Sequence, residues 1–185
     1  LKQLGEHPFT QGWPRAYVMP VPGSTMSSRR HHLPGAPREY RNGVHQGFDF
    51  FSGTVSVPIE YGTPIVAVAQ GTVIRADTSY VEMTLDAYQG IIEEAVSSLD
   101  TPPEILDKLR GRQVWIRHPG GFVSRYAHLS SIAEGIVDGA SVAPGQTIGG
   151  PGNPGPEEAA RHTHDGPPPP GATWAGRHAL RQRTR

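Results

Sequence analysis

The chain has 185 residues and a formal net charge of zero, with seventeen Lys and Arg against seventeen Asp and Glu. Its length fits one domain. Its neutrality argues against a general nucleic-acid or membrane-surface binder, and no apolar stretch approaches the ~20 residues a transmembrane helix needs. Without Cys there is neither a disulfide framework nor a thiolate metal site. The 42 Gly and Pro, beside only 36% hydrophobic residues, predict a small core and many turns, built from strands rather than a helical bundle. The neutrality is uneven: residues 1–160 hold 12 basic and 16 acidic residues, and residues 161–185 hold five Arg and one Asp. The chain begins at Leu1 rather than Met and reads as a fragment, so a missing leader says nothing about compartment.

In chain order, residues 1–41 are rich in Pro, Gly and basic side chains and read as an irregular lead-in crossing the surface of the domain. From Gly43 the texture changes. Residues 48–51 and 55–59 read as short strands. Residues 64–69 form an apolar β-prone run, Gln70-Gly71 a turn, and residues 72–76 a second strand, together a hairpin-like unit. Over 80–99, Val81, Leu85, Tyr88, Ile92, Ala95, Val96 and Leu99 recur at intervals of three and four, the signature of an amphipathic helix. Asp100-Thr101-Pro102-Pro103 ends it, and a short helix through Ile105 and Leu109 follows. This helical insertion, about 80–110, packs on the sheet in one reading and walls a substrate groove in another. Residues 114–117 read as a strand, 118–121 as its turn, and 122–126 as the returning strand. Residues 139–149 read as turn, strand, turn, strand, and loosely echo residues 62–67. The expected organisation is a β domain over 42–160 with that insertion, followed by a Pro- and Arg-rich tail over 161–185.

Three His-containing segments carry chemistry. His45-Gln46-Gly47-Phe48-Asp49 sets an imidazole and a carboxylate four apart, both good zinc ligands at ~2.0–2.2 Å. Gly47 would let the backbone bend so that the two converge. In Arg125-Tyr126-Ala127-His128-Leu129, strand alternation puts Tyr126 and His128 on one face. In His162-Thr163-His164 two imidazoles face the same side of an extended segment, one able to bind metal and the other to move a proton. Each segment alone has a bland alternative: a satisfied half-buried His, or a polar pair in a Pro-rich tail.

In this order, His45-x-x-x-Asp49, Tyr126-Ala127-His128-Leu129, the Gly152-Asn153 turn and His162-x-His164 resemble the lysostaphin/LytM-type zinc metalloendopeptidases. Residues 43–50 look like that family's metal strand, 62–73 like its next hairpin, and 145–149 like its approach to the last motif. The resemblance runs from about residue 36 to 160. It implies a mostly β fold: a compact antiparallel β-sheet or sandwich domain of the duplicated hybrid motif type, with a helical insertion. It implies zinc as cofactor, a peptidoglycan stem or cross-bridge peptide as substrate, and a place in the cell envelope, periplasmic or extracellular. Carried over residue by residue, His45, Asp49 and His164 are metal ligands. His128 is a catalytic His acting on the attacking water, and His162 assists it. Tyr40 is a weaker candidate for oxyanion support. Three protein ligands leave a fourth position for water, and a His that titrates near neutrality can accept and return its proton.

The last segment departs from the family's His-Leu-His-Phe-Glu strand. His162-Thr163-His164-Asp165-Gly166 runs into four prolines, which exclude a central strand there. The tail reads either as disordered or as translated in a shifted frame. With suitable codons for residues 166–172, a one-base shift yields Ala-His-Leu-His-Leu-Glu. Two other functions stay open: a non-catalytic cell-wall-binding or hydrolase-activating relative, and a biotinyl-carrier-like or sugar-phosphotransfer β domain. The latter lacks a modifiable Lys in residues 139–149 and has no use for His45-x-x-x-Asp49.

Overall fold

The computed structural model describes residues 17–151. Among them, two short strands come first, β1 (Pro37–Arg38) and β2 (Gly43–Val44), then β3 (Ile65–Val66) and β4 (Gly71–Ala76). Two helices follow, α1 (Leu85–Ser97) and α2 (Pro103–Leu109). The chain returns to strands with β5 (Val114–Arg117), β6 (Val123–Tyr126), β7 (Leu129–Ile132), β8 (Ser141–Val142) and β9 (Thr147–Pro151). Three antiparallel sheets result: β1-β2, β3-β9-β7 and β6-β5-β4-β8. The expected mostly β architecture with a helical insertion is the one observed.

β5 shows why the larger sheet forms. Val114 and Ile116 point inward and are fully buried, while Trp115 is half-buried and Arg117 exposed on the other face. The inward residues of the larger sheet, Val73, Val114, Ile116, Tyr126 and Val142, share one core with Ala67, Leu129 and Ile148 of the smaller one. The two sheets are therefore held by a common apolar layer, which is the main favourable term in a chain with so little apolar residue to spend.

Residues 65–76 do not form a hairpin. β3 pairs with β9, and β4 pairs with β5 and β8. Between β3 and β4 the chain passes from one sheet to the other through the small buried residues Ala67 and Ala69. Residues 141–151 cross in the same way, and the two crossings bond to each other: Ala67 N–H donates to the Gln146 carbonyl and Gly145 N–H to the Ala67 carbonyl, both at 2.9 Å. The loose sequence echo thus corresponds to two dovetailed units. Gly71 opens β4 rather than closing a turn. A Cβ there would lie 2.5 Å from the Arg117 carbonyl oxygen, so the strand pairing itself requires glycine.

The strands expected at 48–51 and 55–59 are absent; that segment is irregular. Its local bonds compete with a ladder: Thr54 N–H and Oγ1 both donate to the Phe51 carbonyl, and the Ser52 hydroxyl accepts from Ile59 N–H and donates to Ile59 O. Conversely β7, Leu-Ser-Ser-Ile, gave no alternating signal and pairs with β9.

The lead-in over residues 17–41 is irregular, with single-turn 3-10 helices at Arg30–His32 and Glu39–Arg41. It does more than cross the surface, since Val21, Ser27, His32, Arg38 and Arg41 are buried. Val18 N–H donates to the Val68 carbonyl and Val66 N–H to the Pro20 carbonyl, so it also lines β3.

The insertion folds as two helices with their own core. Thr84 caps α1, its Oγ1 accepting from Ala87 N–H, and Pro103 opens α2. Tyr88 and Ala95 pack on Ile105 and Leu109. The expected apolar stripe is only half used: Val81, Leu85, Val96 and Leu99 are exposed. The helices bury against each other, and the buried part of the stripe serves this helix–helix core. Polar ties hang the insertion on the rest. Asn42 Nδ2 donates to the Val96 and Ser98 carbonyls, Arg41 Nη1 to Thr101 Oγ1, and Arg75 Nη1 to Asp107 Oδ1 at 2.7 Å.

Candidate metal and catalytic site

His45 and Asp49 follow β2 on a segment stitched to the lead-in. His45 N–H donates to the Ala36 carbonyl at 2.7 Å, its own carbonyl accepts from Gly35 N–H, and Asp49 N–H donates to the His32 carbonyl. These bonds bring the two side chains together. His45 Nε2 lies 3.0 Å from Asp49 Oδ1, with both side chains partly buried. Each has a second partner that fixes its direction. His45 Nδ1 is 3.2 Å from the Leu33 carbonyl, which can only accept, so the proton sits on Nδ1. The outer carboxylate oxygen, Asp49 Oδ2, accepts from Arg38 Nη2 at 3.0 Å. Arg38 is buried and also donates to the His31 carbonyl.

This leaves His45 Nε2 and Asp49 Oδ1 facing each other at the spacing of two groups that share one cation. A cation, proton or metal, is what the pair accommodates. Two ligands of one tetrahedral zinc stand about 3.3 Å apart, close to the observed spacing. The Nδ1–carbonyl and carboxylate–Arg contacts are the kind of outer support that orients metal-binding side chains. The donor set therefore fits a zinc ion. Gly47 contributes differently from the expectation. Its φ lies outside the left-handed region, and a Cβ there would make only ordinary contact, 3.9 Å from His45 Nε2.

His128 is not on one face of a strand with Tyr126. β6 ends at Tyr126, and His128 adopts a left-handed backbone with φ 56. Two anchors hold this turn: His128 N–H donates to the Arg110 carbonyl at 2.8 Å, and Leu129 N–H to the Arg112 carbonyl. Left-handed non-glycine residues held by their surroundings are a recurrent feature of functional sites. Arg110 also links the two halves of the site. Its guanidinium donates to Gln46 Oε1, next to His45, while its carbonyl receives the His128 amide. Burial, and then the nearby Arg125 charge, push the Arg110 guanidinium below its ordinary value.

Tyr126 instead belongs to a buried polar chain. Its Oη accepts Val68 N–H at 2.8 Å and lies 3.2 Å from Ser124 Oγ, which is 2.7 Å from His118 Nε2; His118 Nδ1 is 2.7 Å from the Gln70 carbonyl. Burial pushes the Tyr126 phenol up. The chain fastens β5–β6 to the crossing after β3. His118 was legible only as a turn residue, and Arg38 and Arg110 carried no periodic or motif signal; their roles rest on contacts far away in sequence. Tyr40 lies in the 3-10 turn Glu39–Arg41.

His162 and His164 lie outside the described residues, as does the 161–185 tail. Among the described residues no group of three His, Cys, Asp or Glu is placed to hold a metal, and His45 and Asp49 stand there as a pair.

The family model for peptidase family M23 matches residues 43–165, a span that opens at β2 and takes in His45, Asp49 and His128. No curated protein and no solved structure matches the chain. With two thirds of its length matched and the β-rich architecture in place, the chain belongs to peptidase family M23, the lysostaphin/LytM-type peptidases.

Proposed function

We propose that the chain is a zinc-dependent endopeptidase that hydrolyses peptide bonds in the stems or cross-bridges of bacterial peptidoglycan, acting in the cell envelope, periplasmic or extracellular. The observation that carries this reading is the His45 Nε2–Asp49 Oδ1 pair at 3.0 Å, with the other nitrogen and the other oxygen already committed to Leu33 and Arg38. Membership of a peptidase family supports the hydrolytic part.

His45 and Asp49 are two ligands, and His164 is the candidate third. A zinc ion held there supplies Lewis-acid polarisation of the scissile carbonyl and acidifies the attacking water. The remaining work falls to the chain's own groups. His128 takes the proton from water and returns it to the leaving amine, a role suited to an imidazole. Its anchored left-handed backbone fixes the ring's point of departure. His162 assists by donating a hydrogen bond to the developing oxyanion. Arg38 holds Asp49 aimed through its contact with Oδ2.

Purified peptidoglycan sacculi incubated with the zinc-loaded chain test this. The expected result is release of new amino termini, abolished by chelator and by His45→Ala. Sacculi that are bound but not cleaved, with no zinc retained, would instead identify a non-catalytic wall-binding relative. The DNA across codons 155–175 decides whether the segment around His164 is read in its proper frame.

A further inference from the structure

The outer face of the larger sheet carries a second constellation beside the candidate metal centre. Arg75, Trp115 and Arg125 are neighbours in register across β4, β5 and β6. The Arg125 guanidinium lies 4.1 Å from the Trp115 ring centroid, and that of Arg75 lies 5.0 Å from it. The platform is fixed: Trp115 Nε1 donates to Gln113 Oε1 at 2.9 Å, and Gln113 is fully buried. Arg75 is committed to Asp77 and Asp107. Arg110 meets Asp107 only at 3.8 Å. Arg125 is exposed, and among the described residues no carboxylate pairs with it. Three guanidiniums thus face two carboxylates, and the uncompensated charge is the one stacked on Trp115. The Arg125 charge lies close enough to disfavour that of Arg110, a cost that a bound anion removes.

The position matters as much as the charge. Arg110 contacts Gln46, the residue after His45, and its carbonyl holds the His128 amide. A peptide lying between His45 and His128 would meet Arg110, and Arg125, on β6, stands three residues before His128. We propose that Arg125, laid on Trp115, and Arg110 form a carboxylate-binding subsite beside the candidate metal centre, so that the preferred substrate is an acidic peptide with a free carboxylate next to the cleaved bond. A planar guanidinium pre-set on an aromatic ring suits bidentate capture of a carboxylate. A neutral cross-bridge offers this subsite nothing. The inference rests on the peptidase reading above for its substrate, but not for its test.

The test compares two fluorescently labelled peptides that differ only in one side-chain carboxylate or its carboxamide. Binding to the full chain is measured with and without chelator, so that a carboxylate–metal contact is separated from the subsite. The acidic peptide is expected to bind about tenfold more tightly at low salt, the size of a charge-assisted hydrogen-bond contribution. The preference should survive chelation and shrink with salt. It should fall to near unity in Arg125→Ala, be partly kept in Arg125→Lys, and weaken in Trp115→Leu. Equal binding of the two peptides, no measurable binding of either, or a preference that survives Arg125→Ala overturns the subsite. Loss of the preference with zinc-dependent hydrolysis intact removes the subsite alone. An intact preference without zinc retention or hydrolysis removes the peptidase reading and leaves the subsite standing.

Discussion

Arg38 is the residue on which the geometry of the candidate metal centre turns. It is buried, yet no motif marks it, because its partner Asp49 is eleven positions away and the contact is a property of the fold. Replacing it with Gln should lower zinc affinity by about 10–100-fold, the usual effect of losing a ligand's outer support, as read by competitive titration with a chromophoric chelator. Lys should restore only part, since an ammonium cannot copy the planar guanidinium, whose Nη2 donates to both Asp49 and the His31 carbonyl while Nη1 reaches the Pro37 carbonyl. Tyr126 makes a second residue-scale prediction. Tyr126→Phe leaves Val68 N–H without its acceptor inside the core, and should cost about 1–3 kcal/mol in urea denaturation. Here the sequence misled in an instructive way. Alternation grouped Tyr126 with His128, but β6 stops between them and the left-handed turn at His128 sends the two side chains to different tasks.

Among the elements, those with strict period-two patterns were legible, β5 and β6 above all, because burial of one face dictates the pattern. β7 and the pairing of β3 with β9 were not, since polar serines and two-residue strands hold their place by ladders formed with distant segments. The helical insertion was legible as helices and misjudged in its packing. Its tie to the sheet gives a pH prediction. The Arg75 guanidinium bonded to Asp107 holds that carboxyl below its ordinary value. A carboxyl depressed on folding adds stability above its unfolded value, and that stability is lost as pH falls through the folded value. Asp107→Asn should therefore unfold earlier than the wild type at neutral pH, and the gap should close as pH drops below the usual carboxylate range of about 4. Because Asp107 is 39% exposed, the neutral-pH gap should also narrow with added salt. No gap at any pH would mean that the helix hairpin is held by its apolar core alone.

At the scale of the whole molecule, two dovetailed β units and a buried lead-in bring residues from three separate segments to one place. Residues 31–38 support Asp49, residues 45–49 supply the His45–Asp49 pair, and residues 110–128 connect His128 to them. The His45–Asp49 pair was readable because His-x-x-x-Asp is local; its link to His128 was not, because it runs through Arg110 at the end of the helical insertion. The same separation explains the charge. Neutrality sums an acidic stretch over residues 1–160 with a basic tail, and the described β units lie in the former. The account stands or falls on the metal. Zinc content of the purified full chain, with competitive zinc titration of the wild type, His45→Ala, Asp49→Asn and His164→Ala, tests it most directly. The prediction is one zinc per chain, lost when His45 or Asp49 is replaced and weakened when His164 is. A chain that retains no zinc, or binds it equally well without His45, would contradict the central claim.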